Sequence, residues 1–325
     1  MELKLLVSPL AKGAYYASVL DVARTEFAAH FPQAEATFER IGGLDFLNTD
    51  LEESSLCTMV RLSFVQGVFH DKGRSGLVPL SPEIGFALPE ELVFGVKYQG
   101  KTNELVTQLA INIGLRFRPG GNPARSLLDP MAGRGTTLLW ALRYGLHATG
   151  IEQHPGAIEA LHRHVKKQTK LHRLKHRCHE GFVGKKNKKG IGKFVQYEMA
   201  EHTLRLIAGD SRNAPELLNE KRFDLIVCDL PYGVLFGGGS RRNPLDLVSD
   251  CARGWLASLR NDGAIVLIFN NYQPKRDALA AVFAHLGARI ETFSAPHRMS
   301  ESIVRDLLVV TKDKQSTQSV TAPHS

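Results

Sequence analysis

Two regimes of apolar and polar spacing divide this chain. From residue 126 onward, short apolar runs alternate with stretches whose apolar side chains recur every three to four residues, the mark of strands alternating with helices. Residues 127–129 read as a strand and 136–144 as a helix, then 147–152 as a strand and 155–168 as a helix. Strands at 203–208 and 225–229 follow, then a helix at 245–259, a strand at 264–269 and a helix at 275–286. Two closing strand-like runs, 289–293 and 303–310, have no helix between them. Such alternation predicts an α/β domain with a mostly parallel sheet covered on both faces. The helix-free closing pair predicts a hairpin, hence one antiparallel strand at the end.

Residues 1–95 read as a smaller α/β unit, with a strand at 3–7, a helix at 15–30 and a strand at 56–69. Residues 86–98 lead into a helix carrying Leu105, Leu109, Ile111 and Leu115 on its apolar positions. The linker RPGGNPARS, rich in Pro and Gly, marks entry to the second unit. The expected organisation is a unit at 1–95, a connecting helix and linker at 96–125, the main domain at 126–312 and a tail at 313–325. That tail has too little apolar content to order itself.

Composition changes this picture little. A 43% hydrophobic share over 325 residues suits a soluble globular protein of two domains. No apolar run approaches the ~20 residues of a membrane span. The amino terminus lacks the basic flank and apolar core of a signal peptide, so a cytoplasmic location and no membrane partner are expected. Cys57, Cys178, Cys228 and Cys251 lie too far apart for a disulfide framework or a paired metal site. His172, His176, Cys178 and His179 have spacings that could hold a metal, but without a partner pair none is expected.

Charge changes it more. Residues 163–193 hold twelve Lys or Arg and one acid, about +11, while the formal net charge of the chain is +8. The basicity therefore belongs to one insertion, with Lys166, Lys167, Lys170, Arg173, Lys185, Lys186, Lys188 and Lys189 as candidate phosphate contacts. A solvated flexible loop is the plain alternative.

In an open α/β sheet, ligands bind beyond the carboxyl ends of the strands. After the first strand comes DPMAGRGTT (129–137), with Asp129, Met131, Ala132, Gly133, Gly135 and Thr136. Its glycines allow a ligand to approach backbone N–H groups at a helix start. The second strand ends on Glu152, where an acid commonly accepts ribose hydroxyls. Asp210 and Ser211 follow the third strand, where an acid could take an adenine amino group. The fourth ends CDLPYG, with Asp229, Leu230, Pro231 and Tyr232. Each acid alone could be a helix cap or a solvated strand end. Four in register on one sheet edge are harder to dismiss. A dinucleotide fingerprint fits poorly: Leu138 stands where its third glycine would be, and an acid beside the glycines repels a pyrophosphate.

The arrangement resembles class I S-adenosylmethionine-dependent methyltransferases, with DPMAGRGTT as the glycine loop and Glu152 as the ribose acid. CDLPYG is similar to the Asp/Asn-Pro-Pro-Tyr motif of amino-group methyltransferases. KYQGKTNE (97–104) is similar to a helix start found in RNA methylases related to tRNA guanosine N2-methyltransferases. The resemblance covers roughly 98–310. It implies a Rossmann-like class I methyltransferase sheet, S-adenosylmethionine as cofactor, and RNA, with tRNA foremost, as partner. It also implies that residues 1–95 serve as an RNA-binding module. Asp229 and the Leu230 carbonyl would accept the hydrogens of an exocyclic amine, and Tyr232 would stack on a flipped base. Leu230 departs from the family's Pro, which leaves the backbone freer and retains an N–H; restoring Pro there is expected to preserve or raise activity. The glycines at 237–239, followed by Arg241 and Arg242, read as a mobile loop beyond the site. Guanosine N2 in tRNA is the expected target. N6-adenine methylation of DNA or rRNA, protein glutamine methylation, and a nucleic-acid-binding protein with an inactive fold are the alternatives.

Overall fold

The computed structural model describes residues 1–82, 86–94, 103–184, 191–199, 201–231 and 243–313. The amino-terminal part is built from β1 (Glu2–Val7), α1 (Pro9–Tyr15), α2 (Val19–His30), β2 (Thr37–Ile41), β3 (Leu44–Asp50), α3 (Leu56–Met59), β4 (Val65–Asp71) and β5 (Leu77–Leu80). Its strands form an antiparallel sheet ordered β2-β3-β1-β4-β5. The strand expected over 56–69 is instead a helical turn followed by β4. Leu56 and Met59, three residues apart, are buried together, which suits a helical face. The helix expected from residue 15 begins at Val19, because Ser8 caps a separate α1 through the Leu10 N–H and Pro9 opens its first turn.

The rest of the chain adds α4 (Glu91–Phe94), α5 (Glu104–Phe117), β6 (Ser126–Asp129), α6 (Thr136–Arg143), β7 (His147–Glu152), α7 (Pro155–Leu171), β8 (His176–Val183), β9 (Gly192–Met199), β10 (His202–Ala208) and α8 (Ala214–Leu217). After these come β11 (Phe223–Asp229), α9 (Pro244–Ala257), β12 (Leu259–Asn270), α10 (Arg276–Ala284), β13 (Ala288–Ile290), β14 (His297–Ser300) and β15 (Ile303–Lys312). The second sheet runs β13-β15-β12-β11-β6-β7-β10-β9-β8, with β14 paired to β15. Its centre, β12-β11-β6-β7-β10, is parallel. The expected closing strand β15 lies antiparallel between β12 and β13, and β13, β14, β8 and β9 add further antiparallel pairs at the flanks.

The basic insertion is therefore not a loop throughout. The helix before it extends to Leu171, and a hairpin of β8 and β9 then widens the sheet past β10. Lys185, Lys186, Lys188 and Lys189, at the tip of this insertion, lie outside the described residues, as do residues 97–102 of KYQGKTNE, Tyr232, the glycines at 237–239, Arg241, Arg242 and residues 314–325.

One apolar core joins the two sheets. Leu3, Leu5, Tyr15 and Phe27 from the first belong to the same buried cluster as Leu109, Leu138 and Val266. At its centre is a polar knot. Glu26 of α2 is fully buried; both its oxygens accept from the Ser63 N–H (3.0 Å), Oε2 also from Ser63 Oγ (2.6 Å), and Oε1 from Asn112 Nδ2 of α5 (2.8 Å). Asn112 also donates to the Arg61 carbonyl (2.7 Å) and accepts from Tyr144 Oη (2.5 Å), while Tyr15 Oη meets Ser63 Oγ at 2.7 Å. Burial pushes the Glu26 carboxyl up to about 7 against these hydrogen bonds. Among the described residues, no helix is long and apolar enough to cross a membrane.

Candidate active site

The carboxyl ends of β6, β7, β10 and β11 open into one pocket of about 220 Å³. It is lined by Pro130, Met131, Gly133, Ile151, Glu152, Gln153, Gly209, Asp210, Ser211, Asp229, Pro231 and Leu247. Thus Met131, Gly133, Glu152, Asp210, Ser211, Asp229 and Pro231, named from the sequence, come together. Asp129, Ala132, Gly135, Thr136 and Leu230 do not line the cavity. The sequence pattern does not point to Ile151, Gln153 and Leu247. The first two flank Glu152 at the end of β7; Leu247 comes from α9, and nothing in its local pattern separates it from a core leucine.

Hydrogen bonds hold the glycine loop to the second strand. The Ala132 N–H donates to the Ile151 carbonyl (2.9 Å), and the Gly133 N–H donates to Glu152 Oε2 (2.7 Å). The other oxygen, Oε1, accepts the His154 N–H (2.7 Å), so Glu152 braces two loops with one carboxylate. Each oxygen keeps a second lone pair for a ligand hydroxyl. Gly135 takes φ 82°, and a Cβ there would stand 2.6 Å from the Leu161 side chain, because α7 packs directly onto the loop. The missing third glycine has a counterpart on the strand: Leu138 of α6 fits over Gly150 of β7, where a Cβ would be 2.7 Å from it. Helix and sheet still approach closely, with the roles of large and small residue exchanged.

The charge of the pocket is negative. Glu152, Asp210 and Asp229 line it, and no Lys or Arg does among the described residues. Asp129 is buried; burial pushes its carboxyl up to about 7, the Met131 N–H (3.0 Å) and the Thr137 hydroxyl oppose this, and the Asp229 and Glu152 charges add to it. Asp210 is engaged. It caps the turn at 211–213 through the Arg212 N–H (2.9 Å), and both its oxygens accept from Arg212 Nε (3.0 Å). Ser211 Oγ accepts from Trp255 Nε1 (3.0 Å), which ties this turn to α9.

CDLPYG starts from a fixed point. Asp229 ends β11 beside the pocket, with Arg305 Nη2 of β15 at 4.0 Å from Oδ2. The Leu230 N–H donates to the Ile268 carbonyl of β12 (2.8 Å), and its side chain is buried in the apolar cluster with Ile226 and Leu267. The N–H that distinguishes Leu from Pro here is used by the ladder.

Elsewhere, Lys166, Lys167 and Lys170 are exposed on α7, and Arg173 is exposed in the turn after it. His172 Nε2 contacts Gln168 Oε1 (3.1 Å) and His176 Nδ1 the Leu174 carbonyl (3.0 Å). No group of three His, Cys, Asp or Glu that could hold a metal exists among the described residues. A second cleft, in the amino-terminal sheet, is lined by Glu2, Glu35, Asp50 and Asp71 beside Lys4, a face that repels phosphate.

A family model described as "RMKL-like, methyltransferase domain" matches residues 104–285, more than half of the chain. The chain belongs to this family. Its RMKL-like domain is an S-adenosylmethionine-dependent methyltransferase domain. The lining fits that cofactor: three carboxylates suit a ligand carrying a sulfonium and an ammonium, and Met131, Ile151 and Leu247 give an apolar wall. A search of curated proteins returns no match. Among solved structures, TrmN from Thermus thermophilus is 14% identical, with 95% of this chain and 81% of that chain covered and a TM-score of 0.44. A TehB-like SAM-dependent methyltransferase from Corynebacterium glutamicum is 16% identical over 59% of this chain and 83% of its own (TM-score 0.38). An rRNA methylase from Streptococcus thermophilus is 12% identical over 58% and 87% (TM-score 0.36).

Proposed function

We propose that this RMKL-like domain methylates an exocyclic amino group of an RNA base, with guanosine N2 in tRNA as the target. The observation that carries this reading is the strand end at Asp229. Its carboxylate faces the pocket, and the residue after it is locked by the Leu230 N–H to Ile268 carbonyl bond. The Asp229 carboxylate and the Leu230 carbonyl would accept the two hydrogens of an amine. Accepting both turns the nitrogen lone pair outward along a single direction. S-adenosylmethionine supplies an already activated methyl group, so the protein's work is alignment. Asp229 also stands beside the nitrogen when it must lose a proton. Glu152, with its spare lone pairs, would hold ribose hydroxyls. Arg212 must share or release Asp210 before that acid can accept an adenine amino group. Tyr232 would stack on the flipped base.

The RNA part of the reading rests on Lys166, Lys167, Lys170 and Arg173, exposed along α7 and its exit, together with the lysines at the insertion tip. Any contribution of residues 1–95 to RNA binding falls to faces other than the acidic cleft. Radiolabelled methyl transfer onto tRNA, rRNA, DNA and protein, with nucleoside analysis of the product, tests the proposal. N2-methylguanosine in tRNA is the expected product; label found only in DNA or protein overturns the reading.

A further inference from the structure

Outside the pocket, the same sheet edge carries an exposed aromatic in a braced turn. Tyr272 follows β12, and 46% of its surface is exposed. Asn270 holds the turn: its Oδ1 accepts the N–H groups of Tyr272 (3.3 Å) and Val304 (3.1 Å), and its Nδ2 donates to the Ser302 carbonyl (3.2 Å). The Asn271 N–H adds a bond to the Val304 carbonyl (2.7 Å). The ring is therefore presented to solvent by a turn tied to the β14–β15 hairpin, and does not belong to either apolar cluster.

Two cations flank it. Arg298 Nη2 of β14 donates to Tyr272 Oη (3.3 Å), and Lys275 Nζ lies 5.9 Å from the ring centroid. Glu301, an acid, lies in the turn between β14 and β15. The position is tied to the reacting edge by register. Ile268 of β12 sits opposite Asp229, about 5 Å across the ladder, and Tyr272 lies four residues further on, within about 13 Å of Ile268 at ~3.3 Å per residue. Arg298 pairs with Val304, and the next residue, Arg305, approaches Asp229 to 4.0 Å.

Lys275 lies over one face of the ring and Arg298 at its hydroxyl edge, which leaves the opposite face for a base and two cations for the phosphates beside it. We propose that Tyr272, Arg298 and Lys275 form a docking platform for a nucleotide flanking the target base, the ring stacking on that base and the two cations meeting its phosphates. This rests on the RNA reading above, and it fixes where the strand leaves the pocket.

The test compares wild type, Tyr272→Ala, Tyr272→Phe and the double variant Lys275→Ala/Arg298→Ala. Binding of a labelled mixed-sequence single-stranded RNA is followed by fluorescence anisotropy, and S-adenosylmethionine affinity by calorimetry. Tyr272→Ala should weaken RNA binding on the order of tenfold, and Tyr272→Phe by less than about twofold, since the π face remains. The double variant should flatten the slope of log affinity against log salt by roughly 1.4. Cofactor affinity should not move. If wild type binds RNA and Tyr272→Ala binds it equally, the platform is overturned while the RNA reading stands. If Tyr272→Ala weakens cofactor as much as RNA, the turn is structural and the platform is again overturned. If wild type binds no RNA, both readings fall.

Discussion

Two buried carboxylates, Asp129 and Glu26, are both pushed up to about 7 by burial, yet their surroundings differ. Glu26 is met by donors from Ser63 and Asn112 on both oxygens, with no pocket beside it. Asp129 accepts from Met131 and Thr137 on its own loop, and two more carboxylates stand nearby across a cavity. Saturated donors make Glu26 a fastener between two parts of the molecule. Asp129 instead stands among concentrated negative charge, at the head of a loop that borders a cavity. A raised carboxyl pKa alone would not tell these apart; what lies around the carboxylate does.

Substitutions can separate the two. Glu26→Ala strands the Ser63 N–H and one of the two Asn112 Nδ2 hydrogens in the core and should cost about 3 kcal/mol or more of stability, read by chemical denaturation. Activity per folded molecule should hold. Asp229→Ala should do the opposite: methyl transfer falls on the order of 100-fold, with melting and cofactor affinity near wild type. Wild-type turnover in that variant would reduce CDLPYG to a turn. Leu230→Pro lies between them. The expectation that it preserves or raises activity gives way to the structure, because Pro deletes the bond to Ile268 and the buried leucine side chain. A loss of about 1–3 kcal/mol in stability is expected, with activity reduced alongside.

The pH dependence sharpens the same contrast. Both folded carboxyls titrate near 7, against ordinary values of 3.8 and 4.5 for Asp and Glu. Between those limits the folded state binds more protons than the unfolded one, so each carboxyl's stabilising share is full at low pH and is lost as pH rises towards 7. S-adenosylmethionine, a cation, should favour ionised Asp129. Its affinity should therefore rise as pH climbs towards about 7 and level off above it, and its binding should shrink only the Asp129 share of the loss. Denaturation midpoints against pH, with and without cofactor, read both effects. Smallest is the effect of Lys166→Ala, Lys167→Ala and Lys170→Ala combined, which should flatten the salt slope of RNA affinity by about 2 and leave cofactor binding alone.

The pocket edge was legible because each acid ends an apolar run, and strand ends in a parallel sheet share one edge. Asp129, Glu152, Asp210 and Asp229 thus group together from the sequence alone. The β8–β9 hairpin was hidden because β8 is exposed on both faces, so HRCHEGFV shows no alternation. The almost wholly exposed β2 was lost for the same reason. Glu26 could not be found at all: one acid among the apolar positions of a helix reads as solvated until its partners, 37 and 86 residues away, are brought beside it. The fate of the Leu230 N–H likewise depended on a neighbouring strand.

Arg305 has a further consequence. It reaches Asp229 from β15, which follows every other strand of its sheet in chain order and slots between β12 and β13. During synthesis, the parallel strands leave the ribosome first, and β12, with Ala264–Phe269 fully buried in the finished sheet, waits with one edge unpaired. The edge that carries Asp229 is thus completed last, by the strand that also closes an aggregation-prone border. Nascent chains stalled before residue 303 would hold the strand ends of the pocket yet lack the guanidinium beside Asp229, so the pocket would form before its Asp229 side is complete.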